Sequence, residues 1–258
     1  MRTLLAAAIL GAILPLAPGE FVKAQEAPQR SLVVVVVMEH VVQGPYQSGY
    51  YGVSRGTGFL IAPDGTAITS SHVVYRVRAN PVTYQLLAIV GREFYGATLL
   101  CASDLPYDPI KQSTSIPPSR DVAEIRLTPS TFPFDQLEYG RTLYASAHHG
   151  PLPTFPALTL AAEPEVGDDV RVLGFGYLRD APVPYEWSAA GTVSHMQTLQ
   201  DGTRIFEVWM TQEAEPGHSG SPVLNTSDQV VGLFNWISRD EPKMGSAISS
   251  AALNPVCH

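Results

Sequence analysis

From Ser31 onward the chain runs in short apolar stretches and alternating apolar and polar positions, cut every few residues by Gly, Pro or Asp. Apolar residues spaced as on one face of a helix are almost absent, so the pattern predicts strands and turns. Residues 32–42 make the first candidate strand, and the tyrosine- and glycine-rich residues 44–52 read as a loop. Gly56-Thr57-Gly58-Phe59-Leu60-Ile61, a turn at Pro63-Asp64-Gly65 and Ala67-Ile68-Thr69 predict a hairpin that delivers Ser70-Ser71-His72 at the end of its second strand. Strands follow at 85–90 and 93–102, then a polar, proline-rich stretch at 104–120. In the next strand Asp121, Ala123, Ile125 and Leu127 share one face. Residues 129–165 carry many prolines and read as a connector between two halves. The second half repeats the style at 169–175, 188–195, 205–211, 222–224, 229–236 and 243–248. Many short strands separated by turns point to an all-β sandwich or barrel.

Composition supports this reading. With 22 Pro and 21 Gly in 258 residues, 45% hydrophobic and only 16% charged, the chain suits a loop-rich globular protein with an ample core. The first 24 residues stand apart from the fold pattern. A positive start at Arg2, an apolar run over residues 4–17 and small residues around Val22-Lys23-Ala24 predict a signal peptide cleaved after Ala24. The run is too short to favour a bilayer span, and no later segment is a candidate, so no membrane span is expected after signal removal. The net charge of −8 and the lack of a basic run argue against a nucleic-acid partner. An oxidising compartment permits a bridge between the two cysteines, Cys101 and Cys257, without requiring one.

Candidate chemistry centres on Gly217-His218-Ser219-Gly220-Ser221-Pro222. Gly217 allows a backbone turn that aims its own N–H and that of Ser219 at one point, an oxyanion hole for a tetrahedral intermediate. A serine hydroxyl needs a base, and the base needs an orienting group. Of seven histidines, His72 has the most rigid mount, ending an apolar hairpin and followed by Val73-Val74. Asp121 is the candidate acid and Asp104 its rival. His148 and His149 are adjacent, but no spaced ligand set joins them, so neither a metal nor any other cofactor is expected.

Taken together, these segments resemble the trypsin-like serine peptidase superfamily, and more closely its bacterial branch, the HtrA-type protease domain and the glutamyl endopeptidases. Gly56-Thr57-Gly58-Phe59-Leu60-Ile61 and Thr69-Ser70-Ser71-His72-Val73-Val74 look like that family's G-[ST]-G-F-x-[IV] and T-x-x-H-V-[VI] segments. Asp121-Val122-Ala123, Val166-Gly167-Asp168, Gly191-Thr192-Val193-Ser194, Gly217 to Val223 and Val230-Val231-Gly232-Leu233 match further ones. The resemblance implies a chymotrypsin-like fold of two orthogonal six-stranded β-barrels, the first over about 31–128, a connector over about 129–165 and the second over about 166–258, within a peptidase domain at 25–258. It also implies an exported serine endopeptidase, secreted or periplasmic, acting on polypeptides through an acyl-enzyme. Ser219 would be the nucleophile, His72 the base, Asp121 its orienting acid, and the N–H groups of Gly217 and Ser219 the oxyanion hole. Glu213, Asn235, Trp236 and Ile237 would approach the substrate pocket. Ile237 falls where many relatives have glycine, which favours small or medium apolar residues before the cut.

Three features depart from the family. His218 stands where the digestive enzymes carry an aspartate that pairs with a newly cut N-terminus, so no activation of that type is expected. Ser71 replaces a usual alanine and Ser221 a common glycine. No PDZ-like segment is expected after the peptidase domain. The alternative reading is a pseudoprotease, the same double barrel used as a binding module, and the oligomeric state is left open.

Overall fold

The computed structural model describes residues 27–42, 48–105, 120–139, 142–177, 184–238 and 240–253. The run of five valines at 33–37 lies in strand β1 (Leu32–Val42). Val33, Val35 and Val37 enter one core, while Leu32 enters a second and Val34 and Met38 a third. A strand buried on both faces has no polar alternation to show, which explains the unbroken apolar run.

Strand β2 (Ser48–Leu60) pairs with β1 along its whole length, and β3 (Thr66–Thr69), helix α1 (Ser71–Ala79), β4 (Tyr84–Val90), β5 (Glu93–Ala102) and β6 (Ala123–Thr128) follow. The order β4-β1-β2-β3-β6-β5, closed by β4–β5 pairing, makes the first barrel. β7 (Gln136–Tyr139) and β8 (Thr142–Ala147) extend this sheet, with β8 parallel to β5. The second barrel closes in the order β10-β11-β14-β13-β12-β9. Its strands are β9 (Asp169–Gly176), β10 (Tyr185–Thr198), β11 (Arg204–Met210), β12 (Ser221–Leu224), β13 (Val230–Ile237) and β14 (Met244–Ser249). The protein is therefore mostly strand, built as the two six-stranded antiparallel barrels that the resemblance implied.

The structure corrects the sequence reading in three places. The tyrosine- and glycine-rich segment is not all loop, because Gly49, Tyr50, Tyr51 and Gly52 pair with β1. Stacking of Tyr50 on His40, with ring centroids 4.7 Å apart, supplies a cross-strand contact that the glycines lack. The connector at 129–165 contains β7 and β8, and it is pinned to the second barrel where Thr159 and Ala161 bond Val230. Finally, His72 lies in the first turn of α1 and not on a strand. Val73, Val74 and Val77 bury one side of that helix. Their β-branching suits a strand, and packing overrides that preference. Residues 1–26, most of 104–120, Cys257 and His258 lie outside the described residues. Cys101 is disulfide-bonded.

The two barrels share a core. Leu32, Phe59 and Ile68 of the first barrel pack with Leu173, Ile205, Leu233 and Ile248 of the second. Along β2, Phe59 faces this shared core and Leu60 the interior of its own barrel, as a period of two demands. Phe59 has no exposed surface, so Phe59→Ala is expected to cost about 3–5 kcal/mol. Denaturant unfolding should show that loss in one transition for both barrels, because the cavity opens between them.

Candidate active site

Asp121 precedes β6 and is fully buried. Its Oδ1 accepts from the backbone N–H of His72 at 2.9 Å, one of the donors left without a partner at the start of α1. Its Oδ2 lies 2.6 Å from His72 Nδ1. One carboxylate thus caps the helix and holds the imidazole that the helix carries, and the positive end of the helix dipole favours its charge. Asp121 on Nδ1 leaves Nε2 of His72 as the nitrogen available to take a proton. Burial of the ring disfavours the imidazolium, but the charge of Asp121 and its hydrogen bond more than offset this, and the His72 pKa is raised. The neighbouring departure, Ser71, is also accommodated, its buried hydroxyl donating to the Ser103 carbonyl at 2.8 Å.

Ser219 sits on a loop whose conformation depends on two glycines. Gly217 and Gly220 have φ of +106° and +91°. A Cβ on Gly220 would lie 1.9 Å from the Thr57 carbonyl oxygen, so this position excludes any side chain. The carbonyls of residues 217, 218 and 219 are all engaged, by Thr57 Oγ1, Ser221 N and Thr57 N. The N–H groups of Gly217 and Ser219 donate to no acceptor among the described residues. Two such donors on one loop are what an oxyanion would need. The loop lies against the His72 element: a Cβ on Gly56 would meet Val73 Cγ2 at 2.6 Å and the Ser219 carbonyl at 2.9 Å.

Asn235 links two of the three candidates, Asp121 and Ser219. Its Nδ2 donates to the Asp121 carbonyl at 2.7 Å, its Oδ1 accepts from Ser70 Oγ at 2.5 Å, and its own carbonyl accepts from Ser219 Oγ at 3.1 Å. The sequence reading placed Asn235 near the substrate pocket. The structure buries its side chain behind Asp121, a supporting position that only the fold brings together. Of the other pocket candidates, Trp236 is buried in the shared core, Ile237 is half-buried and Glu213 is exposed. The rival acid Asp104 is 91% exposed and pairs with Arg78 at the end of α1.

His218 has no exposed surface. It stacks on Trp187 with ring centroids 3.9 Å apart, and its Nδ1 accepts from the Glu215 N–H at 2.9 Å. That bond requires the neutral ring with its proton on Nε2, where it finds no acceptor among the described residues. Burial pushes the His218 pKa down to about 4. Elsewhere, His148 contacts Glu93 and the Pro151 carbonyl, and His149 contacts Asp135 and the Ser130 carbonyl. No group of three His, Cys, Asp or Glu among the described residues could hold a metal ion.

A trypsin-like peptidase domain model matches residues 56–233, spanning both barrels and all three candidate residues. The chain belongs to the trypsin-like peptidase family. Among curated proteins, this trypsin-like peptidase is 26% identical over 181 residues to a probable periplasmic serine endoprotease DegP-like of Chlamydia pneumoniae. The match takes 69% of this chain but only 28% of that protein's length. Its fold is similar to that of an Rv3671c protease from M. tuberculosis in an active form, with TM-score 0.54, 20% identity and coverage of 98% and 92% of the two chains. An inactive form of Rv3671c from M. tuberculosis H37Rv gives TM-score 0.55 at 21% identity, over 88% and 85%. Among the described residues no helix is long and apolar enough to cross a membrane.

His218 makes stability of the loop around Ser219 depend on pH. Its folded pKa, about 4, lies below the usual imidazole value near 6.5, so the unfolded chain binds the extra proton first. Its neutral burial is fully compatible with folding above about pH 6.5, and stability falls as pH drops toward 4, by about 3 kcal/mol at most. Thermal unfolding across this window should show the loss, and His218→Asn should flatten it.

Proposed function

We propose that the chain is an exported serine endopeptidase in which Ser219 is the nucleophile, His72 the general base and Asp121 the group that orients His72. The observation that carries this reading is the pair of hydrogen bonds that the Asp121 carboxylate accepts from His72 N and Nδ1, beside a serine loop with two N–H groups that meet no acceptor among the described residues. The Ser219 hydroxyl first rotates from the Asn235 carbonyl toward His72 Nε2. Its oxygen then attacks the scissile carbonyl as His72 takes the proton, and the carbonyl oxygen becomes an anion facing the N–H groups of Gly217 and Ser219. Collapse breaks the C–N bond, His72 returns the proton to the leaving amine, and an acyl-Ser219 ester remains. Water, deprotonated by His72, attacks the ester carbonyl; collapse breaks the C–Oγ bond, His72 returns its proton to Oγ, and the carboxylic acid leaves a free Ser219 hydroxyl.

His218 supports competence without a new N-terminal ammonium, because it is buried, neutral and already bonded within its loop. Export rests on the signal-like residues 1–24 and on the periplasmic description of the DegP-like relative. Beside half-buried Ile237, the pocket is proposed to favour small or medium apolar residues before the cut. The starting rotamer of Ser219, bonded away from His72, is the feature that keeps the binding-module reading in view.

Three measurements test the proposal. A fluorophosphonate probe should label residues 25–258 and fail to label Ser219→Ala. A folded parent that resists the probe would point to a binding module. The pH profile of kcat/KM should then rise through a limb above the usual imidazole value near 6.5, because the Asp121 carboxylate stabilises protonated, inactive His72. His72→Ala should lower turnover by about 10⁴-fold or more.

A further inference from the structure

We infer that Thr57 is a positioning residue that holds the Ser219 loop in the turn that leaves its Gly217 and Ser219 N–H groups without an acceptor among the described residues; its catalytic consequence rests on the reading above. Thr57 lies on β2 in the first barrel, yet most of its bonding belongs to the second. It is fully buried. Its N–H donates to the Ser219 carbonyl at 2.9 Å. Its hydroxyl donates to the Gly217 carbonyl at 2.9 Å and accepts from the Phe175 N–H at 2.9 Å. Its own carbonyl accepts from Thr69 Oγ1 at 2.6 Å, which ties it to the strand leading to His72.

The hydroxyl therefore joins the Gly217 carbonyl to β9, while the backbone N–H of the same residue holds the Ser219 carbonyl. A peptide unit points its C=O and N–H in opposite directions. Holding the Gly217 carbonyl on Thr57 fixes the plane of the 217–218 peptide, and holding the Ser219 carbonyl fixes the next turn of the chain. The two restraints flank the His218–Ser219 peptide, whose N–H is one of the free donors. Without the hydroxyl, the Gly217 carbonyl and the Phe175 N–H would be left buried and unpaired. The loop would regain a partner by turning, since glycine at 217 resists little. Gly56 makes the approach possible, since a Cβ there would meet the Ser219 carbonyl at 2.9 Å.

The test compares Thr57→Val, which keeps the shape and removes the hydroxyl, with Thr57→Ser, which keeps the hydroxyl. Two readouts are used, steady-state hydrolysis of a peptide substrate and amide hydrogen exchange of residues 215–221. In Thr57→Val, kcat should fall by about 10- to 100-fold with KM within about threefold, approaching the loss seen on removing one oxyanion donor. Exchange in the loop should speed up. Thr57→Ser should restore both to within about threefold of the parent. Equal exchange in the parent and Thr57→Val would overturn the inference, as would a Thr57→Ser variant no better than Thr57→Val. Where Thr57→Val does not fold, Thr57→Ala carries the same comparison. A parent that hydrolyses nothing would sink the catalytic reading alone, because the exchange result still decides whether Thr57 holds the loop.

Discussion

The structure depends on a close backbone approach between two barrels. The Gly56–Gly58 stretch of β2 comes so near the Ser219 loop that Cβ atoms at 56 or 220 would strike backbone oxygens of the opposite segment. At that distance main-chain bonds form directly between the barrels, as Thr57 N to Ser219 O does. The loop around Ser219 is thus shaped by a strand of the other barrel as well as by its own sequence. Phe59, two residues on, drives the same face of β2 into the core that both barrels share. Apolar burial supplies the attraction, and the glycines remove the steric barrier to contact.

Asp121 shows the same economy in its polar contacts. A fully buried carboxylate is costly unless its oxygens are bonded, and here one oxygen meets a helix N-terminal N–H and the other an imidazole. Asn235 secures the main chain of Asp121 from behind and joins it through Ser70 to the start of the helix. The loop around Ser219 is treated differently. His218 holds Glu215 with a neutral ring stacked on Trp187, which avoids burying a charge beside Ser219.

Much of this was legible in the chain. Alternation and turn residues mark most of the strands, because a strand's side chains must repeat every two residues and its turns need Gly, Pro or Asp. The motifs around His72, Asp121 and Ser219 also stood out, since each combines a chemical group with an unusual local backbone. Helix α1 was hidden because Val73, Val74 and Val77 read as strand by local preference. The start of β2 was hidden because Gly49, Tyr50 and Gly52 look like loop until β1 lies beside them.

The sequence by itself determined the class of fold and the residue types available for chemistry, because periodicity and backbone-permissive glycines are local properties. Tertiary structure alone decided the relations among distant residues. It buried Asp121 and left Asp104 in solvent, bonded the Asn235 side chain to the Asp121 carbonyl, and brought Thr57 to Gly217. Those contacts span more than a hundred residues in two cases, and nothing in local propensity carries information over such a separation.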